Sequence, residues 1–202
     1  MAPAAHPGAS YVVFGSAAGF KGDGRSLRAR RLRRVPDRWR RPYDHLGVSV
    51  DAAGRRERRP RIDDLVVGAP GGRGRYSAGY AGGSAFVVFR SSTGFRASLD
   101  VAALDGHNGF RIEGAAAGDL AGFSVAGAGD VNGDGIGDVI VGARGADPDG
   151  RDAAGSSYVL FGSAAGFGAR VDLAALDGSD GFRIDGAAAG DQAAGRYPAP
   201  AT

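Results

Sequence analysis

The chain has 202 residues, a net charge of +3, no cysteine and 37 glycines. That length suits one domain or slightly more. The missing cysteines exclude disulfides and thiolate zinc sites. Glycine far above the usual share of about 7% argues for many tight turns and against long helices. Nine prolines and no every-third glycine exclude collagen, the apolar runs are too short for a membrane span, and MAPAAHPGAS lacks the basic and apolar regions of a secretory signal.

In chain order, the first element is SYVVFGSAAGF at 10–20, and its β-branched and aromatic run predicts a strand. A basic stretch follows. Between Lys21 and Arg61 stand fifteen basic residues against five acidic ones, whereas the remainder carries ten against seventeen. The next elements are DDLVVGAP (63–70), SAFVVFRSSTGF (84–95) and LDGHNGFRIEGAAAGDLAG (104–122), each with a short strand pattern. FSVAGAG, a polar loop, GDVIVGAR (137–144), SSYVLFGSAAGF (156–167) and LDGSDGFRIDGAAAGDQAAG (176–195) complete the series.

Several of these phrases are copies of one another. Asp105, Gly109–Ile112 and Asp119 recur 72 residues later as Asp177, Gly181–Ile184 and Asp191, and DDLVVGAP returns as GDVIVGAR after 74. About four strands fall in each unit, which predicts an all-β fold with glycine-rich turns. Four-stranded repeats fit the blades of a β-propeller, with a β-sandwich of duplicated hairpins as the alternative.

The chemistry lies in residues 130–138, Asp-Val-Asn-Gly-Asp-Gly-Ile-Gly-Asp. Side-chain oxygens of Asp130, Asn132, Asp134 and Asp138 occupy loop positions 1, 3, 5 and 9, and the Ile136 carbonyl occupies position 7. Hard oxygen donors in this number suit Ca²⁺ better than Mg²⁺, which keeps several waters in strict octahedral geometry. An EF-hand is excluded because position 12 is Val141 rather than Glu, and strands rather than helices flank the loop. A turn stabilised by its own aspartates, binding nothing, is the competing reading. Three carboxylates crowded into nine residues repel one another without a cation, which favours calcium.

FSVAGAGDVNGDGIGDVIVGA, with the Gly-Ala-Pro of 68–70, resembles the FG-GAP repeat of integrin α-subunit β-propellers and their bacterial relatives. The resemblance covers about 10–20, 43–54 and 62–195. It implies a partial β-propeller of two to three four-stranded blades, with Asp130, Asn132, Asp134, Ile136 and Asp138 as the calcium ligands. The implied divisions are the end of one blade (1–20), a degenerate blade (21–95), an intact blade holding the loop (96–167), the start of a further blade (168–195) and a tail (196–202). It also implies an extracellular or cell-surface adhesion or protein-binding role, in which the metal is structural. One calcium site is expected, and exposed blade edges are expected to self-associate.

The arginine stretch has three readings. It could be a polybasic arm for nucleic acid or anionic lipid. It could be a cationic amphipathic helix, which Pro36 interrupts. It could also be a frame-shifted copy of a normal blade. Codons for VPDRWRRP (35–42) and RRERRP (55–60), moved by one base, can spell GFRIDGAA and DVNGD, so 22–42 and 55–61 are expected to be shifted readings. On that expectation no nucleic-acid partner is assigned.

Other candidates are weaker. His6, His45 and His107 show no ligand spacing, Ser77 and Ser124 lack the G-x-S-x-G context, and no phosphate-loop motif occurs. The chain is therefore expected not to be an enzyme. The alternative is a repeat region that accompanies the catalytic module of a secreted calcium-dependent enzyme.

Overall fold

A computed structural model describes residues 10–12, 30–31, 45–53, 64–71, 82–90 and 98–195. Over these residues the chain is all-β, with only three-residue 3₁₀ turns at Val101–Ala103, Pro148–Gly150 and Leu173–Ala175. Strands β1 (Tyr11–Val12) and β2 (Arg30–Arg31) form a small antiparallel pair. Apart from Arg30–Arg31, the segments expected to be frame-shifted, 22–42 and 55–61, lie outside the described residues, as does the tail.

Two larger sheets carry the fold. The first orders β3 (Val50–Ala52), β4 (Leu65–Ala69), β5 (Ser84–Val88) and β6 (Gly109–Glu113) as an antiparallel meander. The second does the same with β7 (Ala121–Gly129), β8 (Asp138–Ala143), β9 (Ser156–Leu160) and β11 (Gly181–Asp185). Between β9 and β11 the chain crosses back, and β10 (Arg170–Asp172) pairs in parallel with β6, setting Arg170 opposite Arg111. The sequence unit 96–167 therefore gives its first strand, β6, to one sheet and its next three to the other.

Strand formation follows the residue pattern. In β8, Val139 and Val141 turn to the core while Ile140 turns away, the period-2 alternation of a strand. Registered rows build one continuous apolar layer. Val66, Val87 and Phe110 align across the first sheet, and Val125, Val141 and Tyr158 across the second. These rows meet in one core with Ala85, Ile112, Val139 and Leu160. Phe110 stacks on Phe167 at 4.2 Å between ring centroids, tying the exit of β9 to the first sheet.

Small residues set how closely the sheets approach. A side chain on Gly68 would run into the carbonyl oxygen of Gly122, and Gly122 itself has a φ of +83° and faces the carbonyl oxygen of Ser84. Only glycine satisfies both demands there. The contact recurs one unit later, where Gly142 lies against Ala194. Ala121 N donates to Gly82 O and Ala193 N donates to Ala154 O, both at 2.9 Å. Residues 193–195 therefore sit on the second sheet as the start of β7 sits on the first.

Candidate metal centre

The loop of interest joins β7 to β8, antiparallel neighbours held in register from Ser124–Gly142 to Gly127–Val139. Gly133 and Gly135 take φ values of +78° and +86°, which let the backbone wind in a circle small enough to point its N–H groups inward. Asp130 is the hub of that winding. Its Oδ1 accepts from the N–H groups of Gly133 (2.8 Å) and Asp134 (3.0 Å), and its Oδ2 accepts from Gly135 (2.8 Å).

Asn132 and Asp134 lie against each other on the same turn. Asn132 Nδ2 donates to Asp134 Oδ2 at 3.0 Å, and the Asp134 N–H donates to Asn132 Oδ1 at 3.1 Å. Asp134 Oδ1 accepts from the Ile136 N–H at 2.7 Å. The side chains at positions 1, 3 and 5 are exposed, so their oxygens are open to an incoming ion.

Asp138 is placed differently. It opens β8 and is fully buried at 0% exposure. Its Oδ2 accepts from the Val131 N–H at 2.7 Å, and its Oδ1 accepts from the Gly162 N–H at 2.7 Å. The carboxylate thus bridges the loop to the chain leaving β9. A buried carboxylate needs such charge-assisted partners.

The oxygen-only donor set has the right chemistry for a hard divalent cation. Each carboxylate also keeps lone pairs beyond those given to backbone N–H groups. Among the described residues, however, no three His, Cys, Asp or Glu side chains are gathered closely enough to hold a metal. Asp130, Asn132 and Asp134 share the turn, while Asp138 stands behind it in the core.

A matching residue appears in the first sheet. Asp64, immediately before β4, is 9% exposed, and its Oδ1 accepts from the Arg90 N–H at 2.9 Å. Asp64 and Asp138 occupy the same place in the repeated DDLVVGAP and GDVIVGAR phrases, and Arg90 and Gly162 stand 72 residues apart. The 74-residue offset to Asp138 was the available signal of a shared role.

Ser124, which lacks a nucleophile's sequence context, donates from Oγ to the Ala194 carbonyl at 3.0 Å, a structural bond between units. Comparison with known families matches residues 121–160 to the FG-GAP repeat, which takes in β7, the loop, β8 and β9. No curated protein matches the chain.

Proposed function

Because residues 121–160 carry an FG-GAP repeat, we propose that the chain is a calcium-stabilised segment of a β-propeller-type protein-interaction module. In this reading each four-stranded meander is a blade. Asp130, Asn132 and Asp134, the Ile136 carbonyl and Asp138 hold the ion, which supplies the positive charge that lets the Asp130 and Asp134 carboxylates share one turn in front of Asp138. The metal is structural and rigidifies the rim between β7 and β8. The observation that carries this reading is the winding of 130–138 around Asp130 inside the matched repeat.

The match of 121–160 to the FG-GAP repeat, with its resemblance to integrin α-subunit propellers, supports an adhesive or protein-binding role outside the cell or at its surface. Among the described residues no helix is long and apolar enough to cross a membrane. In this reading the module binds a partner, and two of its serines hold the sheets together. Ser124 bonds the following unit, and Ser84 Oγ accepts from Arg111 Nη2 at 2.9 Å.

The open end of the second sheet supports self-association as well. β11 is an edge strand, and its Ile184 is 51% exposed. Calorimetric titration with Ca²⁺ tests the metal reading. Wild type and Asp149→Ala, which lies outside the loop, should bind alike, and Asp134→Ala should bind more weakly. Identical titrations of the two variants would remove the loop from the proposal.

A further inference from the structure

We infer that the ninth-position aspartate is a clamp that works without any cation, and that its grip on the chain leaving the next strand is shared by both sheets, as Asp138 on Gly162 in the second and Asp64 on Arg90 in the first. It rests on the calcium reading only for the role of Asp134 as a control.

The argument begins with burial. Asp138 is as inaccessible as any core valine, yet its two oxygens are satisfied by the N–H groups of Val131 and Gly162, each at 2.7 Å. One oxygen fixes the start of the loop and the other fixes the chain just beyond β9, so a single side chain sets three segments relative to one another. Both oxygens find backbone N–H partners with no ion taking part, and short bonds of this kind are among the stronger ones.

Independent support comes from the first sheet. The stretch leading to Asp64 reads RERRPRID (56–63) where the second sheet reads DVNGDGIG (130–137), so the oxygen donors of positions 1, 3 and 5 are missing there. Asp64 nevertheless keeps the bond to the N–H of Arg90, the residue that corresponds to Gly162. A side chain whose only task was ligation would have no reason to hold this geometry in a sheet that lacks the other ligands. The clamp is therefore the common feature, and the oxygen-rich turn is an addition built in front of it in one sheet only.

Three variants of the full chain separate the two roles: Asp138→Asn, Asp64→Ala and Asp134→Asn. The Asp138→Asn amide has one oxygen for two donors, so its NH2 group faces the N–H of Gly162 or Val131, and Asp64→Ala removes the acceptor of the Arg90 N–H. Thermal unfolding in EDTA should fall by roughly 4–8 °C for Asp138→Asn and for Asp64→Ala, and stay at the wild-type midpoint for Asp134→Asn. Amide exchange read residue by residue gives a local signature. Protection should be lost at Gly162 or Val131 in Asp138→Asn and at Arg90 in Asp64→Ala, with the other sheet's amides unchanged. If both clamp variants melt with wild type in EDTA, or if only Asp138→Asn falls, the shared clamp is overturned. A wild-type chain that shows no calcium shift, with both clamp variants still destabilised in EDTA, would remove the calcium reading and leave the clamp standing.

Discussion

The two sheets are built from the same phrases and differ in what covers them. Ile112 of β6 is 0% exposed and Phe110 is 1% exposed, because the second sheet packs over them. Their counterparts on β11, Ile184 and Phe182, face outward, with Ile184 at 51% exposure and Phe182 half-buried. The edges differ likewise. β6 has its outer edge paired by β10, whereas β11 is the last strand of its sheet. Identical sequence therefore does not carry identical energy. A Gly-Phe-Arg-Ile strand becomes core or surface according to whether a following sheet stacks on it.

The largest test of that contrast is truncation at the paired phenylalanines. Phe110→Ala removes a ring packed between Phe89 and Phe167 and should cost about 3–5 kcal/mol in urea unfolding. Phe182→Ala removes a half-buried ring that contacts Phe161 at 5.8 Å and should cost about half as much. Equal losses would mean that the second sheet's outer face is as well covered as the first's.

Next in size is the effect of the open end on association. Ile184→Lys puts a charge on the exposed face of an edge strand, a known device against edge pairing. It should shift the chain toward monomer in sedimentation velocity at micromolar concentration. Ile112→Lys, at the matching buried position, should instead unfold the protein. A wild type already monomeric at every concentration would show that the end of the second sheet does not pair.

Much of this architecture was legible in the sequence. The runs LVVG, FVVF, VIVG and YVLF mark β4, β5, β8 and β9, because alternating β-branched and aromatic residues fit a half-buried pleat. The D-x-N-x-D-G-x-x-D spacing located the loop, since glycines and acidic side chains at those offsets wind only one way. What could not be read was partnership. Nothing in Arg170–Asp172 announces a parallel pairing with β6, and periodicity reports the faces of a strand but not its neighbours. The phase of the sheets was hidden for the same reason, since β6 and β11 read alike while they close different meanders. The burial of Asp138 was also hidden, because its spacing marks it equally as ligand and as clamp.

A smaller effect sharpens the contrast between the two hairpins. The oxygen-rich loop belongs to the second sheet, so calcium should stabilise it alone. For an extracellular-type affinity of about 10⁻⁴–10⁻³ M, millimolar Ca²⁺ adds roughly 0.4–1.4 kcal/mol to the folded state. Asp134→Ala should shrink that increment. Exchange protection gained with calcium should be confined to the amides around 130–143 and absent from 65–69. A gain of equal size in both sheets would place the ion elsewhere.

The smallest expected effect is on acid stability, and here two kinds of aspartate move in opposite directions. Asp119 precedes β7 beneath the second sheet. Burial pushes its carboxyl above the ordinary 3.8, opposed by the Ala116 N–H, raised further by the Asp147 carboxylate and lowered by Arg183. Asp105 and Asp177, the matched turn residues before β6 and β11, are pulled below 3.8. For Asp105 the chief causes are the N–H groups of His107 and Asn108, and for Asp177 the hydroxyl and N–H of Ser179. For Asp119, whose proton is held more tightly when folded, the favourable contribution is complete below 3.8 and is lost as pH rises through the folded value. For Asp105 and Asp177 the contribution is present above 3.8 and is lost as pH falls through their lower folded values. Asp119→Asn keeps an oxygen to accept from Ala116 N, which donates at 2.8 Å, and removes the ionisable group. Its urea midpoint relative to wild type should therefore improve as pH rises from 3.8 through the higher folded value, and then level off. The same comparison for Asp105→Asn should change only on the acid side of 3.8, because its turn is exposed and its proton leaves early. A wild-type-minus-Asp119→Asn difference that stays flat between pH 3.5 and 7 would show that this carboxylate is solvated despite its place under the sheet.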